Sequence, residues 1–215
     1  PRVETEVIRA MMTLRLKTMA SGHTGVRPEV VTAYADLLSS GLVPIVGEYG
    51  SLGCSGDLAP LAHCALVLTG EGTVLTPDGG EVDAATGLAQ AGLTPIALRD
   101  KEGLALINGT DGMLGQLIMA LADLDVLVPT ADLASPPRTG GFSSNILALL
   151  EGSDLIQAGR EGAVKRVQDA YSLRCAPQVH GAVRDTMAHA LQEATVELAS
   201  AVDYPVITDY MPVEA

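Results

Sequence analysis

Apolar residues recur at helical spacing through most of the chain. Val3, Val7, Met11 and Leu14 form one stripe, which predicts a helix over the first 20 residues. "ASGHTGVRP" (20–28) breaks it, and Pro28 suits the first position of a second helix. Val30, Val31, Tyr34, Leu37 and Leu38 give that helix an apolar face, and Gly41 ends it. Residues 42–56 show no helical period and are expected to be loop. Asp57 is expected to cap a helix running to about Leu68, because a carboxylate accepts from the free N–H groups of a first turn. "GTVLTPDGGEVD" (72–83) predicts a short, polar, peripheral hairpin around Asp78-Gly79. "LALINGTDGMLG" (104–115) passes through Asn-Gly into another helix. Leu114, Leu117, Leu121, Leu124 and Val128 mark that helix as far as Pro129. "SPPRTGGFSS" (135–144) is a loop by composition, and a helix is expected over 145–158. A long helix is expected from about 180 to 202. Val183, Met187, Leu191, Ala194 and Leu198 line one face, and Asp203-Tyr204-Pro205 stops it. No repeat interrupts this pattern. The expected fold class is mainly α, a helical-bundle type domain with active-site loops at helix N-termini and a small hairpin.

Composition sharpens the picture. The chain has 215 residues, of which 47% are hydrophobic and only 3% aromatic, so its core must be aliphatic. Ala and Leu favour helix packed on helix. A net charge of −13 argues against nucleic acid and against an anionic membrane surface. No uninterrupted run of 18 apolar residues predicts a membrane span, and no secretory pattern opens the chain. A cytoplasmic protein is expected. Because Pro1 leads at once into helical pattern, a piece of a longer chain is expected too. Cys54, Cys64 and Cys175 form no CxxC pair, and the four histidines show no metal-ligand spacing. Reduced thiols and no metal are the expectation.

The candidate chemistry lies in "GSLGCSGDLAPLAH" (50–63), a glycine-rich turn directly before a helix. A phosphate loop would follow its last glycine with Lys and Ser or Thr, whereas Asp57 follows Gly56. A nucleophile elbow, G-x-S-x-G, fails at the same place, where Asp57 stands one position from the needed glycine. The remaining chemistry belongs to the backbone. In Cys54-Ser55-Gly56 the amide nitrogen of Gly56 can attack the carbonyl carbon of Cys54, since glycine has no Cβ to obstruct so tight a ring. Ring closure expels one water. Loss of a second from Ser55 leaves an exocyclic methylene. On composition alone a flexible turn remains the simpler account.

The wider pattern selects the backbone chemistry. "GSLGCSGDLAPLAH" resembles the signature of the aromatic amino acid ammonia-lyases; many members carry Ala at the position of Cys54, and the Cys variant is similar to that of actinobacterial histidine-acting members. "LINGT" (106–110) resembles the family's Asn loop. "RVQDAYSLRCAPQVHG" (166–181) resembles the block that carries its Gln, Tyr and Arg. The resemblance implies part of the fumarase/aspartase-like ammonia-lyase fold. It implies a 4-methylidene-imidazol-5-one (MIO) ring, formed autocatalytically from Cys54, Ser55 and Gly56. It implies catalytic roles for Asn108, near the ring oxygen, and Tyr171, and substrate-binding roles for Gln168 and Arg174. Arg174 would fork onto the substrate carboxylate. Read from the residues alone, Asn108 is a common Asn-Gly turn residue and Tyr171 a core tyrosine. Cys175 and His180 are expected in packing and supporting positions, and His63 as a satisfied core histidine.

The reaction implied is deamination of L-histidine to urocanate and ammonia, the histidine preference resting on "YSLRC" and "QVHG". The alternatives are a phenylalanine or tyrosine ammonia-lyase, an MIO aminomutase, or a helical fragment in which the ring does not close. The resemblance further implies a homotetramer acting on a small amino acid, without nucleic acid, membrane or metal. It covers the central portion of a family chain, so 1–215 is expected to be a single partial domain. The N-terminal segment with its tyrosine base and the C-terminal half with its glutamate are absent. "TADLASPPRTGGFSSN" (130–145) is shorter than the family's stretch, "DYP" (203–205) replaces Asp-Asn-Pro, and Ala170 stands where Pro is common.

Overall fold

A computed structural model describes residues 1–53, 56–134, 151–154, 157–158, 161 and 171–200. The chain divides into two compact units, Pro1–Met119 with the segment from Ala194 onward, and Ala120–Glu193.

The first unit opens with α1 (Thr5–Ala20) and α2 (Pro28–Ser39), both where the apolar stripes predict them. Pro28 occupies the first turn of α2. α1 packs on α2, and α3 (Leu58–Leu68) lies against α5 (Glu102–Ile107). Met12, Tyr34, Leu37, Leu61, Cys64 and Leu106 are buried in the core these helices enclose. Helix faces of Leu, Met and Val supply it, as the scarcity of aromatic residues requires.

The hairpin is present as β2 (Thr73–Leu75) and β3 (Glu81–Asp83), but it is not peripheral. A third strand, β1 (Val43–Pro44), forms inside the stretch expected to be loop. The antiparallel order is β1-β2-β3, with Val43 opposite Leu75 and Val74 opposite Val82. β2 is therefore central, and Val74 is fully buried. A two-residue strand has no period to read, so only its long-range pairing reveals it. Asp83 then caps α4 (Ala84–Gln90), accepting from the Thr86 N–H at 2.9 Å.

α6 (Asp111–Ala134) does not stop at Pro129 but runs through it. Proline removes one backbone donor, yet the turns on either side can continue the helix. Thr130 Oγ1 donates to the Val126 carbonyl one turn back, at 2.7 Å. The stretch Glu102–Asp132 has the length and mean hydropathy (1.5) of a membrane span, a match that counting uninterrupted apolar runs had not shown. Only 22% of its most apolar 18-residue segment is buried, and the stretch carries Asp111, Asp123 and Asp125.

α7 (Tyr171–Arg174) precedes α8 (Ala176–Ala199), which begins four residues before the expected start. The expected stripe of α8 is only partly covered. Ala194 is buried and Leu198 packs with Leu14 and Leu114, whereas Leu191 is 59% exposed. On α6, Val126 and Leu127 are exposed as well. Of the helix expected over 145–158, residues 151–154 and 157–158 are described, and a turn at Glu151–Gly152, where Gly152 has φ +83°, interrupts it; the stop at 203–205 lies outside the described residues.

Candidate active site

Two residues 52 positions apart in the sequence, Gly56 and Asn108, meet in the first unit. Gly56 has φ +137°, a conformation that side-chain-bearing residues rarely adopt. A Cβ added there would stand 3.6 Å from Asn108 Oδ1 and 3.7 Å from the Gly109 carbonyl oxygen. The Asp57 N–H donates to that carbonyl at 2.7 Å. The structure thus lays the Asn loop on the last residue of the candidate ring triplet. Cys54 and Ser55 lie outside the described residues.

Asp57 overturns the expected cap. It precedes α3, but its carboxylate makes no cap to that helix. Oδ2 instead accepts the Met113 N–H at 2.7 Å, in the first turn of α6, and Oδ1 accepts from Ser51 Oγ. The residue is fully buried. The capping chemistry is as expected, but it serves a helix that starts 54 residues later. It attracts a carboxylate for the reason any helix start does, its unpaired N–H groups and positive dipole end. Gly112 leaves room for this approach, since a Cβ there would come within 2.9 Å of the Asp57 carboxyl.

The Asn loop is held from below by Arg15. This arginine follows Met11 by four positions on the buried face of α1, and its side chain has no exposed surface. Nη1 donates to the Asn108 carbonyl at 2.7 Å, and Nε lies 3.3 Å from Asp111 Oδ2. Gly109 is glycine for this reason and not for a left-handed turn. A Cβ there would run first into the Asp111 carboxylate and would stand 2.7 Å from Arg15 Nη1, and its φ is not positive. Asn-Gly at 108–109 is therefore a close-approach pair.

A second, partly buried ion pair fixes the start of α5, the helix whose C-cap is Asn108. The Glu102 carboxylate receives Arg27 Nε at 2.6 Å and Nη2 at 2.9 Å, and the Arg99 N–H at 2.7 Å. The bonds from Arg27 hold its carboxyl far below the usual range, at about 2, although burial opposes this. The clamp ties the N-terminus of α2 to the segment leading into the Asn loop.

The cysteine and histidine expectations divide. Cys64 is buried and free, and burial pushes its thiol up to about 12. It is a packing residue. His63 is exposed on α3, contrary to the core position expected, because it falls on the outer face opposite Leu61 and Cys64. Among the described residues, no group of three or more His, Cys, Asp or Glu forms a metal cluster.

The second unit holds Tyr171, which is 58% exposed and so is not a core tyrosine in this chain. Arg174 ends α7, and Gln168 lies outside the described residues. Sequence reasoning missed a charged cluster in the same unit. His180 Nδ1 lies 2.6 Å from Asp132 Oδ1, and Arg184 bonds the other Asp132 oxygen, joining α8 to α6. Burial raises the Asp132 carboxyl, but the bonds from Arg184 and His180 outweigh it and the net shift is downward. His180 thus pairs with Asp132, whereas Cys175, expected in a packing position, is exposed.

The sequence profile of the aromatic amino acid lyase family matches residues 1–144 and 137–214. The chain belongs to that family. It is 56% identical to the histidine ammonia-lyase of Streptomyces avermitilis, covering 96% of this chain and 45% of that protein. Among solved structures, the tyrosine aminomutase of Streptomyces globisporus is similar at 36% identity and a TM-score of 0.80, over 99% of this chain and 47% of that one. The histidine ammonia-lyase of Trypanosoma cruzi is similar at 33% identity and a TM-score of 0.75, over 96% and 42%. These neighbours bear out the mainly helical lyase fold. The chain spans about half the length of the curated relatives it matches. Its alignment with the Streptomyces avermitilis protein runs to 230 positions against 215 residues, so this chain is the shorter within the aligned region. The overlap of the two family matches falls at 137–144, inside the stretch read above as shortened.

Proposed function

We propose that this chain is the ring-forming portion of an ammonia-lyase that converts L-histidine to urocanate and ammonia. The observation that carries the reading is the contact between the Asn108–Gly109 loop and Gly56. Residue 56 lacks a Cβ, adopts a conformation open to glycine, and has Asn108 3.6 Å from where a Cβ would stand. The site therefore fits an MIO ring closed from Cys54, Ser55 and Gly56. When present, that ring supplies an electrophilic methylidene that activates the amino group for departure.

The chain's own residues do the rest. Asn108 Oδ1 is the side-chain atom nearest residue 56, and a half-turn of the amide brings its Nδ2 donors there instead, to stabilise developing negative charge. Asp57 and Gly109 lock the two loops together through their backbones. By the family resemblance, Arg174 takes the substrate carboxylate as a fork, Gln168 also binds substrate and Tyr171 is catalytic. Identity of 56% to a histidine ammonia-lyase supports histidine as substrate. The exposed apolar faces of α6 and α8 support assembly with further segments and further copies, as in a tetramer.

A second reading, a tyrosine-directed aminomutase, draws on the similarity to the Streptomyces globisporus structure. Turnover separates the two. The proposal expects urocanate and free ammonia from L-histidine, and neither cinnamate nor coumarate from phenylalanine or tyrosine. Cinnamate or coumarate as the dominant product would refute the histidine assignment, as would a tyrosine isomer formed without release of ammonia.

A further inference from the structure

A fully buried guanidinium lies against the backbone of the Asn loop, and the family resemblance gave it no role. Arg15 Nη1 donates to the Asn108 carbonyl at 2.7 Å, and Nε lies 3.3 Å from Asp111 Oδ2. From α3, the Asp57 N–H donates to the next carbonyl, that of Gly109, at 2.7 Å. Two successive peptide groups are thus held by two different elements. Fixing both fixes the direction in which the Asn108 side chain leaves the backbone. The space a Cβ of Gly109 would need is taken by the Asp111 carboxylate and the Arg15 guanidinium together.

A buried ion pair is a poor device for stability alone, because desolvation offsets its attraction and apolar residues of similar size do as well. A buried arginine does fix geometry, since its donors lie in one rigid plane and it stays charged. Here the guanidinium pairs electrostatically with a carboxylate 3.3 Å away and donates one hydrogen bond to the carbonyl of the residue whose side chain lies nearest position 56.

We propose that Arg15 is a positioning residue for the reaction. It holds Asn108 so that its amide faces residue 56, and it sets turnover without touching the amino acid. This rests on the reading of residues 54–56 as ring-forming and of Asn108 as the neighbour of the ring oxygen.

The test is Arg15→Lys in the assembled, ring-bearing enzyme, with kcat expressed per ring-bearing molecule. Lysine keeps the charge but loses the fork. The expected result is a kcat at least about tenfold lower with KM changed by less than about threefold, the split of an interaction used in the transition state only. Exchange of the Asp57 amide hydrogen should quicken, because its acceptor, the Gly109 carbonyl, is no longer held in place. In an Asn108→Ala background the same substitution should lower kcat no further, since Arg15 acts through Asn108. An unchanged kcat in Arg15→Lys, or losses that multiply in the double variant, would overturn the inference. Should Arg15→Lys not fold, Asp111→Asn takes its place. It leaves the bond to the Asn108 carbonyl and frees the other side of the guanidinium. The same kcat-selective, non-multiplying loss is expected, and an unchanged kcat overturns the inference. A wild-type enzyme whose intact mass shows no loss of two waters would overturn the ring reading, and this inference with it. A ring-bearing wild type with an unaffected variant overturns the Arg15 inference alone.

Discussion

Replacing Glu102 with Gln removes one charge from a buried clamp and leaves the shape almost unchanged. Arg27 Nε and Nη2, and the Arg99 N–H, all donate to this carboxylate. Its side chain is only 4% exposed, and it titrates at about 2 where an unfolded glutamate titrates at 4.5. At about 1.4 kcal/mol per pH unit, that difference is worth about 3 kcal/mol of folding stability. Arg27 keeps 29% of its side chain in solvent, so screening trims the figure to about 2 kcal/mol. The folded value is depressed, so the contribution is fully present above pH 4.5 and is lost as pH falls through the folded value near 2. Urea unfolding of wild type and Glu102→Gln at a series of pH values reads it directly. The gap should be about 2 kcal/mol at pH 7 and should narrow steadily below pH 4.5, as the wild-type carboxyl gains the proton that glutamine imitates. The other carboxylates titrate in both proteins and cancel. A gap as wide at pH 3 as at pH 7, or none at pH 7, would refute the electrostatic account of the clamp.

Three further outcomes follow from the same geometry. Asp57→Ala should destabilise by about 2–4 kcal/mol in urea unfolding, because it strips the cap from α6 and leaves the Ser51 hydroxyl and the Met113 N–H without their acceptor. A loss under about 0.5 kcal/mol would contradict the cap. Gly109→Ala should cost about 1–3 kcal/mol by the same measurement, since its Cβ would meet the Asp111 carboxylate and, at 2.7 Å, the Arg15 guanidinium. An unaltered midpoint would show that this ion pair has room to retreat. Arg174→Ala should raise KM for the amino acid far more than it lowers kcat, provided the carboxylate contact is equally strong before and during reaction. Steady-state kinetics showing a pure kcat effect would place the contact in the transition state instead.

The residues that were legible are those whose signal is local. The stripes of α1 and α2 and the turn at Asp78-Gly79 each predicted the element that forms. The triplet at 54–56 and the Asn loop could be named from their blocks, and the fold places Gly56 and Asn108 together. What escaped is non-local. Asp57 caps a helix through a residue 56 positions away, the Arg27–Glu102 clamp spans 75, and Arg15 reaches 93 to Asn108. Helical period says which face is buried, not which distant polar group a buried charge will meet. One signal was available. Arg15 lies on the apolar face of the first helix, four residues after Met11, and a charge there calls for a partner. β1 and the passage of α6 through Pro129 were hidden for a related reason, since tertiary pairing and packing decided both against local preference.

The central claim is that Cys54, Ser55 and Gly56 close into a ring, and intact mass of the purified protein tests it most directly. The account predicts a mass lower than the sequence by two waters, and in Ser55→Ala a protein that keeps its fold but cannot gain the methylidene. A wild-type mass equal to that of the unmodified sequence would contradict the account.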